Sequence, residues 1–128
     1  MASKPTKQIL VIDDEPTWLL VISQYLKAGG YGVVTARSGA EALSALASFT
    51  PDLIFSDVRM PDMNGFDLVE NIKNRPATRT TPIVFVSAID DFDARRVARD
   101  VGAVDYLVKP IDEKDVGSIL HKHFPHER

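Results

Sequence analysis

Apolar runs and amphipathic stretches alternate along this chain from residue 8 to its last turn. "QILVID", residues 8–13, is apolar almost throughout, as in a strand covered on both faces. In the stretch that follows, Trp18, Val21, Ile22, Tyr25 and Leu26 recur at i, i+3, i+4, i+7 and i+8, one face of a helix. Pro16 suits that helix's first turn, and Gly29-Gly30 supplies its stop. "GVVTA", 32–36, reads as a short strand, and Ser38 with Glu41 has the spacing of a capping box opening an alanine- and leucine-rich helix. "PDLIFSD", 51–57, is a third strand. Gly65 to about Asn74 is a helix with Phe66, Val69 and Ile72 inward. "PIVFVSA", 82–88, is a fourth strand, and 92–101 a helix with Ala94, Val97 and Ala98 inward, ended by Gly102. "VDYLVKP", 104–110, is a fifth strand, and "EKDVGSILHKHF" a last helix that Gly117 weakens.

Five strand–helix units in strict alternation imply an α/β fold, a parallel sheet with helices on both faces. Right-handed crossovers restrict the strand order, and sites in such sheets gather at the carboxyl ends of the strands.

Composition narrows the function classes. The 128 residues fit one domain, with 45% hydrophobic and 26% charged residues. The absence of cysteine removes disulfides, thiolate metal sites and cysteine nucleophiles, and is compatible with a cytoplasmic location. A net charge of −3 with both signs scattered does not make the basic stripe of a nucleic-acid binder. No apolar run approaches the ~18 residues of a membrane span. Residues 1–7 and 125–128 read as polar tails around a domain at 8–124.

The strand ends carry the chemistry. The first strand ends in Asp13-Asp14-Glu15, the third in Asp57, the fourth in Ser87-Ala88 and the fifth in Lys109-Pro110; the second ends in Thr35-Ala36, with nothing comparable. Asp13, Asp14 and Asp57 on one rim crowd like charges, which calls for a cation or a raised pKa. Their hard oxygens, with no thiolate or imidazole nearby in sequence, favour Mg²⁺ or Mn²⁺. Lys109 and Ser87 add a point charge and a hydroxyl suited to phosphoryl oxygens. Together these groups fit phosphoryl transfer with an aspartate as nucleophile. Taken one at a time, each has a plainer role: turn residues for Ser87 and Asp57, a helix N-cap for Asp14, a surface charge for Lys109.

The blocks "VIDDEP", "SDVRMPDMNGFDL", "PIVFVSA" and "DYLVKP", in this order, resemble the receiver domain of bacterial two-component response regulators. The resemblance covers about Gln8 to Phe124. It implies a flavodoxin-like three-layer αβα sandwich with strand order 2-1-3-4-5 and five helices. It implies a phosphorelay switch in which Asp57 accepts a phosphoryl group from a histidine kinase or phosphotransfer protein. Asp14, Asp57 and the backbone carbonyl of Arg59 would bind Mg²⁺ directly, and Asp13 through water. Lys109 would pair with Asp57 and then with its phosphoryl group. Ser87 and the N–H of Ala88 would bond phosphoryl oxygens, Tyr106 would move inward behind Ser87, and a cis bond before Pro110 would aim Lys109. Output would be a changed surface of the fourth helix, fifth strand and fifth helix, read by an effector or by a second copy. The domain would be no enzyme beyond its own phosphorylation and dephosphorylation, and would contact neither nucleic acid nor membrane. Ile89, two residues past Ser87, is expected to shield the acyl phosphate from water, while Arg59 sits at the mouth of the site.

The main alternative is an Mg²⁺-dependent phosphohydrolase with an aspartate nucleophile; it wants an acid two residues past the nucleophile, where this chain has Arg59. A flavin-binding protein would need a hydroxyl-rich loop where this chain has "DDEP", and a P-loop is excluded by its missing glycines and lysine. His121, His123 and His126 read as solvated residues at a helix C-terminus rather than a metal set, because His121 and His123 point to different faces. "DDFDARRVARD", 90–100, reads either as a solvated helix face or, because it lies on the output side, as a surface that a partner reads.

Overall fold

The computed structural model describes residues 6–89 and 92–125. The order along the chain is β1 (Gln8–Ile12), α1 (Pro16–Ala28), β2 (Gly32–Ala36), α2 (Gly39–Leu46), β3 (Leu53–Ser56), α3 (Gly65–Lys73), β4 (Ile83–Ser87), α4 (Phe92–Asp100), β5 (Asp105–Val108) and α5 (Glu113–His123). The five strands form one parallel sheet in the order β2-β1-β3-β4-β5. This is the flavodoxin-like arrangement that the resemblance implied.

Strand alternation explains the two cores. Leu10 and Ile12 of β1 point to one face with Ile54, Phe85, Leu68, Val69, Ile72 and Ala98, the side of α2, α3 and α4. Ile9 and Val11 point to the other with Phe55, Val84, Ile22, Leu26, Val116 and Ile119, the side of α1 and α5. Each of these large side chains, fully removed from water, contributes about 1.5–3 kcal/mol relative to exposure. The inner strands are buried on both faces, which is why their sequences run apolar without a break.

Local chemistry follows the sequence, with two departures. Ser38 Oγ accepts the N–H of Glu41 at 3.1 Å, but the Glu41 carboxylate takes the N–H of Arg37 at 2.9 Å instead of returning to Ser38. Glu15, not Asp14, occupies the N-cap position of α1, and its side chain makes no capping bond. A full capping box instead opens α5, where Asp112 and Asp115 each accept the other's N–H at 2.9 Å.

Candidate functional site

Parallel pairing delivers the acids to one place. Ile12 pairs with Ser56 across β1 and β3, so Asp13 and Asp57 leave the sheet side by side. The ladders run one step further: Asp57 donates its N–H to Ile12 at 2.9 Å, and Asp13 to Ala36 at 3.1 Å. Backbone bonds thus fix where both carboxylates begin. Across β4 and β5, Ser87 pairs with Val108, and the N–H of Lys109 reaches the carbonyl of Ser87 at 2.8 Å. The Lys109–Pro110 peptide is cis.

At the rim, Asp13, Asp14 and Asp57 each bring a carboxylate oxygen within 4.8 Å of the others. Asp13 and Asp57 are almost fully buried, 1% and 6% exposed. Oδ1 of Asp57 accepts the N–H of Val58 at 2.7 Å and, more weakly, that of Arg59 at 3.4 Å. Asp13 Oδ1 accepts the N–H of Glu15 at 2.9 Å. The ammonium of Lys109 lies 2.7 Å from Asp13 Oδ2, 3.1 Å from Glu15 Oε1 and 3.4 Å from Asp57 Oδ2. Lys109 is therefore bonded most closely to Asp13, whereas the resemblance led to Asp57.

The pocket is electrostatically unbalanced. One ammonium contacts three carboxylates, Asp13, Glu15 and Asp57, with Asp14 beside them, and water has little access to Asp13 and Asp57. Burial, then the charge of Asp13, pushes the Asp57 carboxyl up to about 6, against the pull of Lys109 and the two N–H groups. Burial alone would lower the pKa of Lys109, but its bonds to Asp13, Asp57 and Glu15 leave it raised. The donor set suits a hard divalent cation. An octahedral shell at about 2.1 Å spaces its oxygens roughly 3–4 Å apart, close to what the three aspartates offer. Among the described residues no histidine joins this group.

Asp14, Glu15, Asp57, Arg59, Ser87, Ala88, Ile89 and Lys109 line one cavity of about 240 Å³. Ser87 is buried, and its Oγ accepts the N–H of Ile89 at 3.1 Å. Tyr106 lies outside this lining. It is already nearly buried, packs on Phe85, and its hydroxyl donates to the carbonyl of Ile89 at 2.5 Å. Arg95 stands over its outer face, 5.1 Å from the ring centre. Ser87 and Tyr106 thus meet at one residue, Ile89, the first at its N–H and the second at its carbonyl.

Two participants carried no assigned role in the sequence reading. Glu15 binds Lys109, and its only signal was being third in an acidic run. Trp18, on the apolar face of α1, is partly buried with the Lys109 ammonium 5.5 Å from its ring centre. The histidines diverge: His121 is exposed, whereas His123 is partly buried with its Nε2 unpartnered, so it is not the solvated residue expected. Burial, with Lys122 adding to it, lowers the pKa of His123. His126, both Asp90 and Asp91, and the tails at 1–5 and 126–128 fall outside the described residues.

The family model described as "Response regulator receiver domain" matches residues 9–121. The chain is 37% identical over 118 residues to the DNA-binding transcriptional regulator NtrC of Escherichia coli (strain K12), covering 92% of this chain and 25% of that protein. It is 35% identical over 120 residues to a probable cyclic di-GMP phosphodiesterase of Vibrio cholerae, covering 94% and 27%. The chain thus spans about a quarter of the length of these relatives. Against protein PilG of Pseudomonas aeruginosa it is 33% identical over 118 residues, 92% of this chain and 87% of that one. The solved structure of the chemotaxis response regulator CheY4 of Vibrio cholerae superposes with a TM-score of 0.88 at 30% identity, covering 94% of this chain and all of that one.

Proposed function

The chain belongs to the response regulator receiver domain family, and we propose that residues 8–124 form a phosphoacceptor switch whose acceptor is Asp57. The observation that carries this reading is the buried Asp57 carboxylate beside Lys109, Asp13 and Asp14 at the carboxyl rim. A carboxyl raised to about 6 is ionised at neutral pH, yet more basic than an exposed aspartate and so a better nucleophile. An oxygen of Asp57 forms the new O–P bond while the N–P bond of a phosphohistidine breaks, and its electron pair returns to the imidazole.

Asp14, Asp57 and the carbonyl of Arg59 would hold Mg²⁺ directly and Asp13 through water; bound there, the cation supplies positive charge to the transferring phosphoryl oxygens. Lys109 then exchanges carboxylate contacts for a phosphoryl oxygen. Ser87 leaves the N–H of Ile89 to do the same, with the N–H of Ala88 beside it. The hydroxyl of Tyr106 reports that exchange, because it holds the other side of Ile89. The affected surface runs over α4, β5 and α5, where an effector or a second copy reads it.

The donor is a histidine kinase or phosphotransfer protein, and the setting is cytoplasmic; among the described residues no helix is long and apolar enough to cross a membrane. The domain turns over no substrate beyond its own acyl phosphate. A phosphohydrolase reading lacks its acid at Arg59, whose side chain is exposed. Incubation with acetyl phosphate and Mg²⁺ should add one phosphoryl mass to the wild type and none to Asp57→Asn. Full labelling of that variant overturns the assignment.

A further inference from the structure

The loop from Asp57 to Gly65 is tied at both ends. At its base, the N–H of Gly65 donates to the carbonyl of Val58 at 2.7 Å. At its tip, Asp62 reaches across to α2: Oδ1 accepts the N–H of Gly39 at 3.1 Å, and Oδ2 that of Ala40 at 3.0 Å. These two N–H groups, Ala40 first, hold the Asp62 carboxyl below the ordinary aspartate range. Met63 adds packing, since a Cβ at Gly39 would come within 2.9 Å of its Cβ and Sδ.

The helix does not need Asp62 for its own cap. Ser38 already supplies that by accepting the N–H of Glu41. Asp62 takes two other orphan donors of the same helix end from 22 and 23 positions further along the chain. Such a bond fixes the distant loop as much as the helix. The same loop carries Val58 and Arg59, whose N–H groups orient Oδ1 of Asp57.

We propose that Asp62 is a positioning residue for the acidic pocket: by fastening the loop tip to α2, it holds the Val58 and Arg59 N–H groups that orient Asp57 and the Arg59 carbonyl that would meet the cation. This rests on the Mg²⁺ reading given above. It makes the N-terminus of α2 part of the site's supporting structure although no residue of α2 lines the cavity.

The test is an Mg²⁺ titration followed by Trp18 fluorescence, with urea unfolding measured alongside. The variants are Asp62→Ala, Asp62→Asn and Gly39→Ala. Asp52→Ala is the control: Asp52 Oδ2 accepts the N–H of Gln8 at 2.8 Å, a carboxylate–backbone bond at the opposite rim. Asp62→Ala and Gly39→Ala should weaken Mg²⁺ binding about tenfold, as loss of a supporting partner does. Asp62→Asn keeps one acceptor oxygen and should fall between. Asp52→Ala should lose stability and bind Mg²⁺ as the wild type does. Unchanged Mg²⁺ affinity in Asp62→Ala and Gly39→Ala, or an equal loss in Asp52→Ala, overturns the proposal. A wild type with no Mg²⁺ response and no Asp57-dependent phosphoryl adduct overturns the underlying reading, and the proposal with it.

Discussion

The ammonium of Lys109 lies 2.7 Å from Oδ2 of Asp13, and both side chains are almost sealed from water, 6% and 2% exposed. A buried pair of this kind adds little to stability compared with apolar residues of the same shape. Breaking it is a different matter, because the remaining carboxylates stay buried without a counter-charge.

Lys109→Gln should therefore destabilise the protein by about 3 kcal/mol at pH 7.5 without divalent cations, the scale for breaking a buried pair. Part of that loss should return with Mg²⁺, and part on lowering the pH, beginning above the value near 6 at which Asp57 takes up its proton in the wild type, because the variant lacks the ammonium that pulls that value down. Urea unfolding with and without Mg²⁺ measures both recoveries.

Asp57 itself sets a pH dependence whose sign is fixed. Its carboxyl titrates near 6 in the folded protein and near 3.8 otherwise. Between these values the folded state binds more protons, so stability falls as pH rises from about 4 to 6 and then levels off. Without divalent cations, Asp57→Asn should be more stable than the wild type at pH 7.5 by up to about 3 kcal/mol, and the gap should close near pH 4. Thermal unfolding across that range shows it. For the same reason protons compete with Mg²⁺, whose affinity should weaken by up to about tenfold per pH unit below 6.

Two glycines give opposite outcomes. A Cβ at Gly65 would overlap the carbonyl oxygen of Asp57 and lie 2.9 Å from Cα of Val58, and neither is a flexible side chain that can swing away. Gly65→Ala should cost about 1–3 kcal/mol and lower phosphoryl labelling by displacing the acceptor strand end. Gly117 lies within α5 with nothing within 4 Å of a built Cβ. Gly117→Ala should stabilise by roughly 0.5–1 kcal/mol and leave labelling unchanged. Urea unfolding and mass labelling of both variants separate the two effects.

Among the described residues, Ile89 is the only large aliphatic side chain lining the acidic cavity. Ile89→Ala should shorten the life of the acyl phosphate by admitting water, while the rate of its formation changes less. Loss of phosphoryl mass after removal of the donor gives the lifetime; an unchanged lifetime removes Ile89 from this role.

Much of this was legible in the chain. The continuously apolar runs at Ile9–Ile12, Leu53–Phe55 and Ile83–Val86 could only be covered on both faces, which led to the parallel sheet. Trp18, Val21, Ile22, Tyr25 and Leu26 gave α1 because helical spacing survives any tertiary arrangement. The acids and Lys109 were legible because strand ends in such a sheet share one rim. Asp62 was not: its partners are N–H groups of Gly39 and Ala40, and backbone donors leave no mark in a sequence. Nor was the capping box of α5, where Asp115 stands in for the more familiar glutamate.

The sequence by itself determined the alternation of strands and helices, the layered sheet and the polar residues placed at the strand ends, because periodicity and residue type are local properties. Tertiary structure alone decided which carboxylate Lys109 binds most closely, that Tyr106 already points inward, and that α2 anchors the loop behind Asp57. Those are distances between groups far apart in the chain. They are set by how the strands register and how the loops close, which place the oxygens of Asp13, Glu15 and Asp57 at 2.7, 3.1 and 3.4 Å from a single ammonium.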